Sequence, residues 1–246
     1  MNIFLEAEKI FHIGSFGITN TYLTSSLVVL GLSAFAVGFS KKINYLPGKI
    51  QNLVETVLEG FLDFFDKIFD DREKAKKFFP FIATFFLFIL LSNWLGIFPG
   101  MGTIGFYERH NGKEILVPFF RSVNSDINMT LALAVISVLF TNIFGIAAIG
   151  FFKYAGKFIN FKDPISFFVG ALELVSEVAK VISFSFRLFG NIFAGEVLLI
   201  VMSFLLPFVA PLPFMALEIF VGFVQALVFS MLTTVFLKIA TEETHH

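Results

Sequence analysis

The chain has 246 residues, of which 57% are apolar and only 15% are charged, and 38 of them are Phe. A soluble globular domain is closer to half apolar and a quarter charged, so this composition excludes a disordered or nucleic-acid-binding chain and indicates a polytopic membrane protein. The net charge of −1 provides no overall field that would recruit a charged partner, and the absence of Cys excludes disulfides, thiolate metal sites and thiol redox chemistry.

Three windows without charged residues predict three membrane-spanning helices. An ionised side chain at the bilayer centre costs at least about 2.5–3.5 kcal/mol, and a span needs about 20 apolar residues. The windows lie between Lys9 and Lys41, between Lys77 and Glu108, and between Asp126 and Lys153. We predict helices over about 20–39, 79–98 and 127–151.

The N-terminal residues predict that the first span is retained in the membrane. Glu6 and Glu8 stand where a secretory signal would carry positive charge, and no small-residue cleavage site follows the first apolar stretch. Residues 40–77 contain eight Lys and Arg, whereas 99–125 contain three. By the positive-inside rule the first connection is cytoplasmic, so the N-terminus is expected outside.

Within that cytoplasmic connection, residues 46–70 predict an amphipathic surface helix. Apolar side chains recur three or four residues apart, at Ile50, Leu53, Val54, Val57, Leu58, Phe61, Leu62 and Phe65. Such a helix lies on the membrane or packs on a partner, and it does not span. A surface helix that covers the chain's own core explains the pattern equally well.

The last third of the chain predicts two helices that are too long for upright spans. Asp163 and Pro164 are typical of a helix start, and no Pro recurs until Pro207. A helix over 164–206 would be roughly 64 Å long and the one over 213–241 roughly 40 Å, against a hydrocarbon thickness of about 30 Å. We therefore predict a steeply inclined hairpin whose turn, LPFVAPLP, contains three prolines that end the helices.

Together these elements predict an all-α membrane protein with a single membrane domain over 1–246. It would contain about five membrane-embedded helices and the cytoplasmic amphipathic helix. The sequence shows no internal repeat, low-complexity tract or linker.

Ionisable residues inside the predicted hairpin are costly in lipid. They are Glu173, Glu177, Lys180, Arg187, Glu196 and Glu218. Arg187 is the most costly, because a guanidinium stays protonated in any protein environment. Intramembrane charges usually mark an ion path, although an Arg can also form a structural ion pair or reach the membrane interface.

Helical spacing divides these residues between two faces. At about 100° per residue, one stripe contains Glu173, Lys180, Arg187 and Asn191, with Glu177 at its margin. Glu196 points nearly the opposite way. On the final helix, Glu218 and Gln225 share a face that could meet either side.

Small residues make the helix nearly smooth just beyond Arg187. Gly190 and Ala194 are four residues apart and Gly195 adjoins them, a spacing that permits close helix approach in lipid. The spacing alone does not distinguish ordinary intramolecular packing from a sliding partner surface.

The run SFRLFGNIFAGE at 185–196 resembles the signature of subunit a of the F-type ATP synthase, the stator channel subunit of the membrane Fo sector. Three further blocks and the last helix resemble the same family: LPGKIQNLVE (46–55), NWLGIFPG (93–100), SDINMTLALA (125–134) and QALVFSMLTTVFLKIA. The resemblance covers most of the chain, and the N-terminal 45 residues add little to it.

The resemblance implies a role for each matching residue. Arg187 matches the family's essential arginine, Asn191 its nearby amide, and Glu196 the acid of the half-channel through which ions enter. Glu218 stands where other members carry His, and Gln225 matches the family's glutamine on the last helix. Because two carboxylates close together in low dielectric cannot both ionise cheaply, one of Glu196 and Glu218 is expected to hold its proton near neutral pH.

The same comparison assigns the remaining polar and small residues. Glu173, Lys180 and Ser183 fall where the family's cytoplasmic half-channel begins, and Gly190, Ala194 and Gly195 are expected to pack against the rotor. Glu177 matches no family pattern, so a solvated position is expected for it.

The implied activity is ion translocation, with no bond chemistry in this chain. Ions, by default protons, would enter one half-channel, neutralise a carboxylate on the c-ring, travel with the ring and leave through the other half-channel, which couples proton-motive force to ATP synthesis. The implied partners are the c-ring, the peripheral-stalk b subunits, the rest of Fo and F1, and the lipid bilayer. No cofactor, metal or nucleic acid is expected. The implied location is a bacterial plasma membrane, with multiple spans and a cytoplasmic C-terminus.

Two smaller motifs have plain structural interpretations. Asn93 and Gly96, followed by Pro99, are more consistent with a capped helix exit than with a channel lining. Asp126 and Asn128 are more consistent with an N-cap than with a channel mouth.

Two other classes of membrane protein would also contain buried polar groups. A secondary transporter usually shows an internal repeat with paired broken helices, which this sequence lacks. A membrane anchor for a redox enzyme would need His ligands inside spans. The four histidines, His12, His110, His245 and His246, all lie outside the predicted spans.

Overall fold

The computed structural model describes residues 9–13, 16–41, 43–45, 47–98, 104–110, 113–158, 164–207 and 209–242. Its helices are α1 (Asn20–Ser40), α2 (Lys49–Phe69), α3 (Arg72–Ile97), α4 (Ile127–Ile149), α5 (Phe151–Phe158), α6 (Pro164–Leu205) and α7 (Pro211–Thr241). Within these ranges, five helices are long and apolar enough to cross a membrane, namely all except α2 and α5. The prediction of an all-α membrane protein with five such helices is confirmed.

Two short antiparallel hairpins, which the sequence analysis did not predict, precede α1 and α4. Strand β1 (Lys9–Ile13) pairs with β2 (Phe16–Thr19), and β3 (Gly105–His110) pairs with β4 (Lys113–Pro118). The Asn20 side chain donates a hydrogen bond to the Pro118 carbonyl over 3.5 Å, so both hairpins lie at one end of the helix bundle. We call this the hairpin end. Strands of four to six residues are too short for a search based on charge-free windows to detect.

Local capping explains where the helices depart from their predicted bounds. The α3 helix begins at Arg72 instead of 79, because the Asp71 carboxylate accepts hydrogen bonds from the first free backbone N–H groups, those of Glu73 (3.0 Å) and Lys74 (3.3 Å). The α4 helix ends at Ile149 instead of 151, because Gly150 adopts a φ of 93°. The predicted N-cap of α6, Asp163, lies outside the described residues.

The amphipathic helix α2 covers the chain's own core with only half of its length. Phe65 and Phe69 are buried against Phe78 and Ile82 of α3 and Leu237 of α7. Toward the start of α2, the apolar side chains of Ile50, Leu53 and Val57 remain exposed. The second half of this helix therefore covers the chain's own core, and contact of the first half with the membrane or a partner stays a prediction.

The core that positions the functional residues joins α3, α4, α6 and α7. Its buried residues are Phe85, Phe86, Ile89, Leu90, Ala134, Phe184, Leu188, Ile192, Ala226 and Phe229. At the far end of the bundle, the Lys238 ammonium of α7 lies 2.7 Å from the Asp70 carboxylate in the turn between α2 and α3. This end therefore lies beside the Lys-rich segment 40–77, and we call it the basic end.

Candidate functional site

Arg187 lies near the middle of α6 on a face that other parts of the chain leave uncovered. Its Nη2 donates to the Ser183 hydroxyl over 3.3 Å, and Asn191 donates from its side chain to the Arg187 carbonyl over 3.0 Å. Gly190 and Ala194 are exposed on the same face, and a Cβ added to Gly190 would meet no atom within 4 Å. We call these five residues the open face of α6. It is a smooth surface that surrounds one permanent positive charge.

Gln225 of α7 lies beside this arginine. A small pocket between the two helices is lined by Phe184, Arg187, Leu188, Gln225 and Phe229. Of the two polar residues predicted to share a face of α7, Gln225 therefore lies next to Arg187, whereas Glu218 contacts α6 further along.

Glu218 is buried, with 7% of its surface exposed, and its carboxylate lies against Gly195. A Cβ on Gly195 would overlap both carboxylate oxygens. Gly195 was predicted to pack on a rotor together with Gly190 and Ala194, but the structure places it away from the open face. The reason is geometric, because each residue turns an α-helix by about 100°. The missing side chain of Gly195 makes room for Glu218.

This contact predicts that Gly195→Ala is destabilising. The added methyl group would displace the Glu218 carboxylate. Overpacking typically costs about 1–3 kcal/mol, and we expect the low end because the displaced group is the end of a flexible side chain. Gly31→Ala is the matched control, because a Cβ there meets nothing within 4 Å. We expect a lower midpoint for heat-induced aggregation in detergent for Gly195→Ala alone, and equal midpoints for both variants would contradict the contact.

Glu196 forms an ion pair with Arg121, which precedes α4 in the chain. The Arg121 Nε lies 3.1 Å from Glu196 Oε1 and 3.4 Å from Oε2, and Nη2 lies 3.4 Å from Oε2. Both side chains are largely withdrawn from solvent, with 10% of Arg121 and 28% of Glu196 exposed. The predicted partner of Glu196 was Glu218. Within the described residues, Glu196 has this cationic partner, whereas Glu218 forms no ion pair.

Buried polar side chains continue from this pair through the hairpin end. The residues are Asn20, Thr21, Thr24, Ser92, Asn93, Asn124, Ser125, Asp126 and Thr130. Asp126 caps α4 by accepting the Asn128 N–H over 2.9 Å, as predicted, and it also accepts the Thr21 hydroxyl over 3.0 Å. Four buried side-chain atoms have no hydrogen-bond partner among the described residues, and three of them lie at this end: Ser92 Oγ, Ser122 Oγ and Asn124 Oδ1; the fourth is Ser230 Oγ of α7.

Asn93 does not cap a helix exit, contrary to the prediction. It lies inside α3, where its side chain donates to the Gly222 carbonyl of α7 over 3.0 Å and accepts from Asn124 over 2.7 Å. The helix continues past it to Ile97. Asn93 therefore links three segments within the polar cluster.

A second polar cluster lies on α6 near the basic end. Glu173 is half-buried there. Glu177, predicted to be solvated, is instead paired with Lys180, with 19% and 21% of their side chains exposed. The prediction of a solvated position for Glu177 is therefore wrong. Neighbouring helices contact this residue, and helical spacing along α6 alone does not reveal such contacts. Arg187 thus lies between two polar clusters on opposite sides of the core.

Comparison with known proteins identifies the family. Residues 21–238 match the family model described as "ATP synthase A chain". The chain belongs to this family. It is 33% identical over 248 residues to a protein named ATP synthase subunit a from Campylobacter concisus (strain 13826), which covers 100% of this chain and 98% of that one.

Two further proteins with the same name are similarly related. One, from Syntrophobacter fumaroxidans, is 36% identical over 220 residues, covering 89% of this chain and 82% of the relative. Another, from Campylobacter jejuni (strain RM1221), is 35% identical over 224 residues, covering 89% of each chain. The resemblance to subunit a is confirmed, and ion transport and ATP synthesis follow from the ATP synthase A chain family.

The sequence analysis did not predict that Arg121 pairs with Glu196. Arg121 lies inside the matched range, but the sequence analysis counted it only as one of three cations in a connection. A buried acid generally requires a partner, which is a clue that a cation should be near Glu196. No pattern in the sequence distinguishes Arg121 from Arg109 or Lys113 for that role.

Proposed function

We propose that this chain conducts protons through two offset half-channels against the c-ring of a rotary ATP synthase. The observation that supports the proposal best is the position of Arg187, exposed on the open face of α6 between two polar clusters. A permanent charge on a lipid-embedded surface is costly unless a partner covers it. A ring of c subunits, each with a carboxylate, supplies both the cover and the opposite charge.

The polar cluster of the hairpin end forms the half-channel through which protons enter. Its buried atoms without partners, Ser92 Oγ, Ser122 Oγ and Asn124 Oδ1, are available to hydrogen-bond water. Glu196, positioned by its ion pair with Arg121, and Glu218, which forms no ion pair within the described residues, line this path and pass the proton on. Asn191, beside Arg187, then guides it to the rotor.

Arg187 separates the two half-channels. Its charge attracts each rotor carboxylate into the ionised form as it passes, and it repels protons that would leak straight across. After a turn of the ring, the proton leaves past Ser183, Lys180 and Glu173 toward the basic end. Each charge that crosses the membrane releases about 2.3 kcal/mol per 100 mV, which the ring converts into rotation.

The basic end faces the cytoplasm in this proposal. The Lys-rich segment 40–77 and the C-terminal end of α7 lie there, joined by the ion pair of Lys238 and Asp70. The N-terminus is then outside and the C-terminus cytoplasmic, in a bacterial plasma membrane. The exposed apolar residues at the start of α2 lie on the lipid interface or against the peripheral-stalk b subunits, and α6 and α7 are steeply inclined.

Proton uptake driven by ATP in inverted membrane vesicles tests this function. We expect uptake by the wild type with or without sodium, and at least a tenfold loss in Gly190→Leu, because the larger side chain would hold the c-ring away from the open face. The subunit itself should remain folded, since the space beyond Gly190 is open in this chain. Uptake at the wild-type rate in Gly190→Leu would refute the assignment of the rotor surface, and uptake that requires sodium would refute proton coupling.

A further inference from the structure

Glu177 belongs to a hydrogen-bonded cluster that joins four helices. The Lys180 ammonium donates to one of its carboxylate oxygens, and Asn142 of α4 donates to the other over 3.5 Å. The Tyr154 hydroxyl of α5 donates in turn to the Asn142 side-chain oxygen. The Lys180 ammonium also lies 4.6 Å from the centre of the Phe236 ring of α7. We call these five residues the Glu177 cluster.

Tyr154 gives this cluster a fixed hydrogen-bond donor. Tyr154 is buried, and its ring packs against Gly145 of α4. A Cβ added to Gly145 would overlap the Tyr154 ring. The pKa of Tyr154 is raised to about 12, mainly by burial and to a smaller extent by the negative charges of Glu177 and Glu173. The hydroxyl therefore stays protonated at neutral pH and orients the Asn142 amide so that its N–H group points to Glu177.

The position of Lys180 explains why it needs a partner. It is seven residues from Glu173 and seven from Arg187 on the same helix, which corresponds to roughly 10 Å along the axis in each direction. Without Glu177, its positive charge would stand alone between Arg187, at the junction of the two half-channels, and Glu173, which a departing proton must pass. The effective dielectric constant at partly buried sites is about 20, so a unit charge at that distance changes the energy of another charge enough to alter a rate about tenfold.

We propose that Glu177 is a positioning residue of the exit half-channel. Its carboxylate is held by Asn142, which Tyr154 orients, and it neutralises Lys180 and keeps the ammonium against Phe236. No unpaired cation then repels a departing proton as it approaches Glu173. This inference rests on the proposed function of the chain. In this role Glu177 acts on the path through Lys180 and is not itself a step of the relay.

Charge-specific variants of the whole synthase test this role by ATP-driven proton uptake in inverted vesicles. Glu177→Gln preserves the shape of the side chain but removes its charge, and we expect uptake to fall about tenfold. Glu177→Asp is the matched control, because it retains the charge and should stay within about twofold of the wild type. Adding Lys180→Met to Glu177→Gln should recover part of the lost rate, because it removes the unpaired cation, although it also removes a residue of the exit path.

The amount of this chain in each vesicle preparation separates charge effects from misfolding. Wild-type uptake in Glu177→Gln overturns the proposal, and so does an equal loss of uptake in Glu177→Gln and in the double variant. Arg187→Ala, measured in the same preparation, reports on the proposed function separately. If Arg187→Ala abolishes uptake while Glu177→Gln does not lower it, only the role of Glu177 is refuted. If Arg187→Ala transports normally, the ion path itself is refuted.

Discussion

Arg187→Lys should abolish coupled proton transport, although it exchanges one cation for another. A Lys in a desolvated position can lose its proton, whereas a guanidinium stays charged. The Lys ammonium also lacks the planar fork that lets Arg187 donate to Ser183 while it faces the proposed rotor surface. We expect at least a hundredfold loss of ATP-driven proton uptake, which corresponds to about 2.7 kcal/mol.

The matched control is Arg72→Lys at the start of α3. Arg72 is exposed and pairs with Asp63 at 2.8 Å and Asp66 at 3.3 Å, an arrangement in which either cation suffices. This variant should transport at the wild-type rate. Coupled transport by Arg187→Lys at the same rate as by Arg72→Lys would show that Arg187 has a structural role, and the proposed ion path would then be wrong.

Arg121→Met should be the most damaging substitution outside the family signature. Removing one partner of a fully buried ion pair typically costs about 3–5 kcal/mol. The Glu196 side chain is 28% exposed, so solvent screening reduces the expected loss of stability to about 2 kcal/mol. Because Glu196 also leaves its position in the proposed proton path, we expect proton uptake to fall at least tenfold.

A second substitution separates the two consequences of losing Arg121. Arg121→Met together with Glu196→Gln removes both charges, so the resistance of the detergent-solubilised synthase to heat-induced aggregation should recover. Proton uptake should not recover, because the acid of the proposed path is gone. Arg72→Met provides the exposed comparison, and we expect it to change stability by less than about 1 kcal/mol. If Arg121→Met were as stable and as active as Arg72→Met, the ion pair would contribute to neither property.

The spans could be predicted because the cost of placing charge in lipid acts on each segment separately. The start of α3 shows the limit of this argument. Its first turn, with Arg72 and Lys74, is charged and therefore fell outside the charge-free window, yet the Asp71 cap starts the helix there. The restart of the chain as α5 after Gly150 is another local feature that hydropathy does not report.

The acids and Arg187 were found from sequence because they are costly in an apolar helix, but their partners were not. Arg121 and Glu196 are 75 positions apart, and Asn93 and Gly222 are 129 apart. The spacing of residues along one helix predicts a shared face, and it does not identify the side chain that approaches from another helix. For this reason Glu177 was expected in solvent, although Asn142 of α4 lies against it.

The sequence by itself determined the class of the protein, its five apolar helices, its family and the residues whose charge requires a function. These properties follow from hydration energies and helical periodicity, which depend on residues close together in the chain. Only the tertiary structure decided that Gly195 accommodates Glu218, that Arg121 pairs with Glu196, and that Glu177 is held by α4 and α5 through Asn142 and Tyr154. The physical reason is that these contacts join segments far apart in sequence, and the packing of α3, α4, α6 and α7 around a common core selects them.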